Sequence, residues 1–313
     1  MQAGFFLKKA RLMKNVPSRL GIIRLRKEEN MQKNIQNITA VIEYIEAHLT
    51  EKLDLDTIAD AVHYSKYHLH RMFADMTGLT AHDYIQRRRL TEAAKLLVFS
   101  DKPILEIALL AGYESQQAFT GIFTALYKMP PNRYRENERF YPLQLKYSLE
   151  GSYSMLENKE NRPWEAAFAQ ETDIPCWMEL VRLVVDGFPC LDEEEYIRIL
   201  QEKIRAGQAL ILKDGGIAVG ILLFDTETGN IDFMGTHPFY RKMGIPRVFL
   251  NKVMDELAKG REISITTYRE GDKADTGQRR EIKGLGFAEA ELLVEFGYPT
   301  QRFVLKKEET GDA

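Results

Sequence analysis

The sequence is poor in the residues that build a secreted scaffold or a membrane span. Only two cysteines, Cys176 and Cys190, occur among 313 residues. They stand in no C-x-x-C or zinc-ligand spacing, which excludes a disulfide framework and points to a reduced, cytoplasmic protein. Both read as small buried hydrophobes. No apolar run approaches the roughly 18 residues that a membrane helix needs. Neither sign of charge dominates: the net charge is −3, with 28% charged and 44% hydrophobic residues. That composition fits a soluble globular chain, and its length fits about two domains.

The small net charge conceals a gradient. Residues 1–30 carry eight Lys or Arg against two Glu, a net +6, residues 31–140 carry −1 and residues 141–313 carry −8. A basic leader, a balanced middle and an acidic end indicate separate units. The leader lacks the long apolar core and small-residue cleavage site of a signal peptide, and it reads as a disordered basic tail.

The first informative stretch is "LDLDTIADAVHYSKYHLHRMFADMTG", residues 53–78. Leu55, Ile58, Ala59 and Val62 share one helix face. Ser65 is a good N-cap for a second helix, in which Leu69, Met72, Phe73 and Met76 form the apolar stripe. Lys66, Tyr67, His70 and Arg71 occupy the opposite face, and Gly78 closes the helix. The pattern returns fifty residues later. Ile104, Ile107, Ala108 and Ala111 repeat the first stripe, Ser115 repeats the cap, and Phe119, Ile122 and Phe123 repeat the second stripe. Gln116, Gln117, Thr120 and Thr124 take the outer face. An internal repeat of this kind carries more weight than either copy. Between the copies, "TAHDYIQRRRLTEAAKLLVFS" reads as one long helix joining two helix-turn-helix units. His63, His68 and His70 cluster in sequence, but His68 and His70 point differently on a helix, so no metal site is assigned. His70 reads as outward and His68 as partly packed.

On these residues, with Arg89-Leu90, Gly112-Tyr113, Pro131, Tyr134 and Arg135, the segment 36–136 resembles the DNA-binding domain of the AraC/XylS family of transcription regulators. The resemblance implies an all-α double helix-turn-helix domain over 31–140 and double-stranded DNA as partner. It places Ser65, Lys66, Tyr67, His70, Arg71, Ser115, Gln116, Gln117, Thr120 and Arg135 at the interface. The chemistry agrees: Gln can pair with adenine and Arg with guanine in the major groove, and amides at helix N-termini can meet phosphates. One departure is Gly121, which stands where related activators often carry a basic residue.

From Phe140 the register changes. The polar stretch 141–164 reads as a linker. Beyond it the order is a strand at "EAAFA", helices at "IPCWMELVRLVVDGF" and "DEEEYIRILQEKIRAG", and strands at "ALILKD", "GIAVGILLFD" and "NIDFMGTH". A helix follows at "GIPRVFLNKVMDELAKG", then a strand at "EISITTY", a short helix before "GLGF", and a hairpin of "AELLVEF" and "QRFVLKK". This predicts an α+β domain over 165–307 with a mixed, mostly antiparallel sheet, ending in a tail at 308–313.

Within that domain "YRKMGIPR", residues 240–247, joins a strand to a helix N-terminus, a ready anion receptor. Arg241-x-x-Gly244-x-Pro246, with Gly286-Phe287 downstream, resembles the GNAT acetyltransferase superfamily. The resemblance implies acetyl-CoA as cofactor, its pyrophosphate held near Thr236, His237, Arg241, Lys242, Gly244 and Ile245. It implies N-acetylation of a small amine or a protein lysine. Two departures limit that chemistry. Pro246 offers no N–H where the family has Gly or Ala, so acyl-CoA binding is weakened. Ile282 stands where many of these enzymes have a tyrosine acid. Candidate bases are Asp232, Glu270 and Glu295, and the sequence selects none of them. The alternative is a non-catalytic sensor of acyl-CoA or a small cationic ligand. No membrane partner is expected.

Overall fold

The computed structural model describes residues 19–147, 164–184, 193–258, 260–295 and 298–305. Seven helices come first: α1 (Arg19–Ala47), α2 (Leu55–Ala61), α3 (Lys66–Thr77), α4 (Ala81–Phe99), α5 (Ile104–Leu110), α6 (Gln116–Tyr127) and α7 (Pro131–Glu136). The apolar stripes read from the sequence face inward, as both repeats require. Ile58, Ala59, Leu69, Met72 and Phe73 join Ile35, Ile38, Val41, Ile42 and Ile45 of α1 in the core of the first unit. Ile107, Ala108, Phe119 and Phe123 join Leu90, Ala93, Ala94 and Leu97 of α4 in the core of the second.

Short caps set the helix boundaries. Ser65 accepts a hydrogen bond from the N–H of His68 at 3.3 Å, and Ser115 accepts one from Ala118 at 3.2 Å. Each thereby satisfies an amide that the first helical turn leaves without a partner. α3 ends on Gly78 at φ 77°, and α6 ends fifty residues later on Lys128 at φ 61°. Both are left-handed caps, but only the first has the residue that adopts this conformation without steric cost.

Two boundaries differ from the sequence expectation. Of the leader read as disordered, residues 1–18 lie outside the described residues, while Arg19 onward is helical and continuous with α1. The stretch is rich in Leu, Arg, Lys and Glu, all good helix formers, and it runs straight into the packed part of α1. The segment read as a linker from residue 141 belongs to the helical unit as far as Tyr147. Leu143, Gln144 and Tyr147 are buried, and Tyr147 stacks on Tyr84 with ring centroids 5.3 Å apart. The hydroxyl of Thr91 accepts the N–H groups of Leu143 and Gln144 at 3.0 and 3.1 Å. This irregular segment packs by isolated contacts and has no period to read. The rest of the expected linker, 148–163, the tail at 308–313 and Cys190 lie outside the described residues.

The second half is a seven-stranded sheet in the order β1-β2-β3-β4-β5-β7-β6. The strands are β1 (Ala167–Phe168), β2 (Ala209–Asp214), β3 (Ile217–Phe224), β4 (Asn230–Thr236), β5 (Ile263–Tyr268), β6 (Phe287–Glu295) and β7 (Tyr298–Leu305). Only the β4–β5 pair is parallel, so the sheet is mixed and mostly antiparallel as expected. α8 (Ile174–Val184) and α9 (Glu193–Arg205) cover one face. α10 (Ile245–Lys252) and α11 (Gln278–Gly284) cover the other. Helices on both faces explain why β2 and β3 are nearly continuous apolar runs rather than alternating ones. The helix expected over 244–260 is α10 followed by a single π turn, Val253–Leu257. At Gly220 of β3 a Cβ would stand 2.6 Å from Ile245 and 2.7 Å from Phe249, so glycine there lets α10 lie close on the sheet. No described helix is long and apolar enough to cross a membrane.

Candidate functional site

The helical half presents two polar helix faces on a rigid strut. On α3, Lys66, Tyr67, His70 and Arg71 are all exposed, Tyr67 at 83% despite its large apolar ring. Lys66 is paired with Asp56 at 2.6 Å, and that carboxylate raises the ammonium pKa above its ordinary value. His68 is exposed beside the Tyr64 ring at 5.2 Å rather than partly packed. On α6, Gln116 and Gln117 are exposed and Thr120 is half-buried. A Cβ at Gly121 would meet nothing within 4 Å, so no contact within the chain demands glycine there. Arg135 is half-buried. Its guanidinium donates to the carbonyls of Leu97 at 3.1 Å and Lys102 at 2.6 Å, tying α7 to the turn between α4 and α5.

The strut is α4, and a buried ion pair anchors it to α1. Arg88 donates through Nε and Nη2 to the two carboxylate oxygens of Glu46, each at 2.8 Å. The Tyr84 hydroxyl donates to the same carboxylate at 2.8 Å. Glu92, one turn along α4, accepts a further bond from Arg88 at 3.0 Å. This two-pronged geometry fixes the angle between α4 and the first unit.

The sheet half contains an opening between β4 and β5. The two strands pair only at Asn230–Ser264 and Ile231–Ile265 and then part. A cavity of about 1190 Å³ fills the gap, walled by β4 from Asn230 to Thr236, by β5 from Ile265 to Tyr268, and by Glu281, Ile282, Glu295 and Tyr298. The helical half closes it with Gly78, Leu79, Thr80, Asp83 and Arg87. After β4, residues Pro238–Met243 form a 3₁₀ turn, and Gly244 at φ 74° starts α10.

The expected ligand-holding residues fall into two groups here. Thr236 and Arg241 line the cavity, and Gly244 is exposed, with open space where a Cβ would stand. His237 is buried, and its Nδ1 accepts the N–H of Phe239 at 3.3 Å, so it shapes the turn. Ile245 and Pro246 are buried, with Ile245 part of the sheet core. The side chain of Lys242 lies outside the described residues. Tyr240 donates to Asp214 at 2.7 Å, and burial together with that carboxylate pushes its phenol well above its usual pKa. Of the expected set, Thr236 and Arg241 border the slot between the parted strands, and Gly244 is not among its lining residues. Pro246 removes one donor from the set, and Arg241 is already in use.

The candidate bases are not brought together. Asp232 lines the cavity but is held by Lys203 at 2.8 Å. Burial works against the Lys203 charge, yet Asp232 and Asp225 hold its pKa above the ordinary value. Glu270 is exposed and does not line the cavity, whereas Glu295 does. Glu281, missed in the sequence, also lines it; its side chain is exposed to solvent, yet desolvation against the cavity wall raises its carboxyl pKa and Arg241 opposes that shift. Ile282 is a core residue, buried to 4% exposure. No group of three or more His, Cys, Asp or Glu among the described residues is placed to hold a metal.

The most informative contacts join the halves, and sequence reading missed all of them. Arg241 donates through Nη1 to the carbonyl of Thr77 at 2.9 Å. Lys128 pairs with Asp272 at 2.8 Å, and its ammonium lies 5.2 Å from the centre of the Tyr298 ring. Arg87 donates to the carbonyl of Ala274 at 2.7 Å, and Ala274 is buried in the core of the second helical unit. These partners are 164, 144 and 187 residues apart in sequence. The only local sign was the pair of helix ends at Gly78 and Lys128, the second carrying a side chain in a backbone conformation that disfavours one.

A family model described as "Helix-turn-helix domain" matches residues 58–137. The chain is 42% identical over 109 residues to a probable transcription factor, PqrA, of Proteus vulgaris, covering 34% of this chain and 88% of that protein. It is 41% identical over 98 residues to an uncharacterized HTH-type transcriptional regulator, YbfP, of Bacillus subtilis, covering 31% of this chain. The chain thus spans only 33% of the length of YbfP. Among solved structures, an acetyltransferase of the GNAT family from Bacillus cereus aligns with 47% of this chain and 99% of its own, at 15% identity and a TM-score of 0.37.

Proposed function

The chain belongs to the AraC-type helix-turn-helix transcription regulators, and on that premise we propose that it grips a double-stranded DNA operator with α3 and α6. The observation that carries this reading is the pair of N-capped helices with exposed polar faces, Lys66 to Arg71 and Gln116 to Thr120, held by one buried strut. Exposed Gln and Arg side chains suit base edges, and the capped N-termini suit flanking phosphates. Two such helices on one rigid frame fit successive major-groove segments about 34 Å apart. Gly121, free of any neighbour, lets the backbone of α6 approach a groove wall. The test is selection of duplexes from a random pool by the full chain. One enriched motif is expected, bound with an affinity that falls linearly on a log–log plot against salt. Recovery without enrichment, from folded protein at low salt, contradicts the proposal.

For the sheet half we propose a sensor of an acyl carrier of the acetyl-CoA class rather than an acetyltransferase. The parted strands and the loop from Arg241 to Gly244 support holding such a group, which would bring an acyl thioester to the cleft. The buried Ile282 at the expected acid position and the tie between Asp232 and Lys203 speak against transfer. Calorimetry of acetyl-CoA with the full chain separates the readings. Heat of binding without thiol release across a panel of small amines and lysine peptides is expected. Release of free thiol above the uncatalysed rate restores N-acetylation as the function.

A further inference from the structure

The sheet half holds the helical half by the carboxyl ends of both reading helices. α3 ends at Gly78 and α6 at Lys128, equivalent positions of the repeat. Arg241 lies across the first end, with Nη1 on the Thr77 carbonyl at 2.9 Å. Asp272 holds the second through Lys128 at 2.8 Å. The fit at the first end is close: a Cβ at residue 78 would stand 2.0 Å from Arg241 Nη1. The cavity between the parted strands is closed by this same α3–α4 turn. Both halves therefore supply its walls.

Arg241 therefore serves two partners. A cation at a helix C-terminus is favoured, because the last carbonyls and the helix dipole are negative there. Arg241 also opens the loop proposed above to hold an anionic carrier, where a phosphate would attract it more strongly than a neutral carbonyl does. Building on the sensor reading above, we propose that an acyl carrier bound in the cleft draws Arg241 away from Thr77 and frees the end of α3, and that DNA binding tightens as a result. The sign follows from charge and geometry. Residues 141–313 carry a net −8, so releasing one of the three ties described above between the halves lets an acidic body shift relative to the phosphates of the duplex while Lys128–Asp272 and Arg87–Ala274 persist. It also lets α3 and α6 adjust to a bent site. Linkage makes the effect reciprocal: the duplex tightens the carrier by the same factor.

The experiment uses the full chain, acetyl-CoA as the probe and a duplex recovered by selection. Saturating acetyl-CoA is expected to tighten the duplex about tenfold, within the usual range of coupling between sites. Arg241→Ala is expected to bind the duplex about tenfold more tightly without ligand and to respond no further. Gly78→Ala reaches the same contact from the helical side and leaves the loop intact. It is expected to tighten both duplex and acetyl-CoA, with a thermal melt confirming that it folds. Acetyl-CoA that binds but leaves duplex affinity within twofold, or weakens it, overturns the proposal and leaves the sensor reading standing. Absence of any heat with acetyl-CoA removes the sensor reading and the proposal together.

Discussion

Replacing Arg88 with methionine is expected to lower the stability of the helical half by about 3–5 kcal/mol, the usual effect of removing one partner from a buried ion pair. Both side chains are largely sequestered, at 8% and 12% exposure. Without the guanidinium, the Glu46 carboxylate keeps only the Tyr84 hydroxyl among the partners described above. A buried carboxylate with so little compensation is the larger part of the penalty. Urea denaturation followed by far-ultraviolet circular dichroism measures it. The double variant Arg88→Met with Glu46→Leu should recover most of the loss, since paired apolar replacement of a buried ion pair is often neutral. A single-variant loss below about 1 kcal/mol would mean that the pair is solvated and that α4 is held by its apolar contacts alone.

The second large effect is expected at Phe123, in the other helix-turn-helix unit. Its ring is fully buried and stacks on Tyr127 at 4.3 Å, with Phe119 and Tyr134 each at 5.3 Å. Phe123→Ala removes that volume and several ring–ring contacts, and about 3–5 kcal/mol is the typical loss. Phe123→Leu keeps most of the volume and should lose about 1.5 kcal/mol or less. If alanine and leucine behave alike, the aromatic packing is not what orders α6. Because α6 carries Gln116 and Gln117, the alanine variant should also lose operator binding at temperatures where the wild-type chain still binds.

Both predictions rest on features the sequence displays at different distances. The two repeats are plain in it because a helix leaves a periodic trace. Ile58, Leu69 and Phe73, and then Ile107, Phe119 and Phe123, mark the same stripes fifty residues apart, and a serine marks each N-terminus. The strands of the second half are legible for a related reason: short apolar runs bounded by glycine or polar residues have few other uses. Docking leaves no such trace. Arg241 looks like part of a phosphate loop, and nothing near it in sequence says that Thr77 accepts from it. Asp272 and Ala274 lie in a polar turn, yet they meet the end of α6 and the core beside α4. Arg135 is another contact the sequence does not display: at a position where the family resemblance implies a DNA contact, its guanidinium also donates to two backbone carbonyls of the fold. The boundary near residue 140 failed because Leu143 and Tyr147 are buried one at a time, without a period.

The halves are therefore connected where function is expected to be exercised. The polar faces of α3 and α6 are exposed, their carboxyl ends are held by the sheet half, and the cavity lies between. On the sensor proposal the path from ligand to the helical half is short, because Arg241 both lines the cavity and donates to Thr77.

The most direct test of two-helix reading is a methylation-protection footprint of the full chain on a selected duplex. Two protected major-groove segments are predicted on one face of the DNA, about 10 base pairs apart. Gln116→Ala with Gln117→Ala should relax sequence preference in one segment only, and Arg71→Ala in the other. A single protected segment, or protection indifferent to all three substitutions, would contradict the assignment of α3 and α6 as paired reading helices.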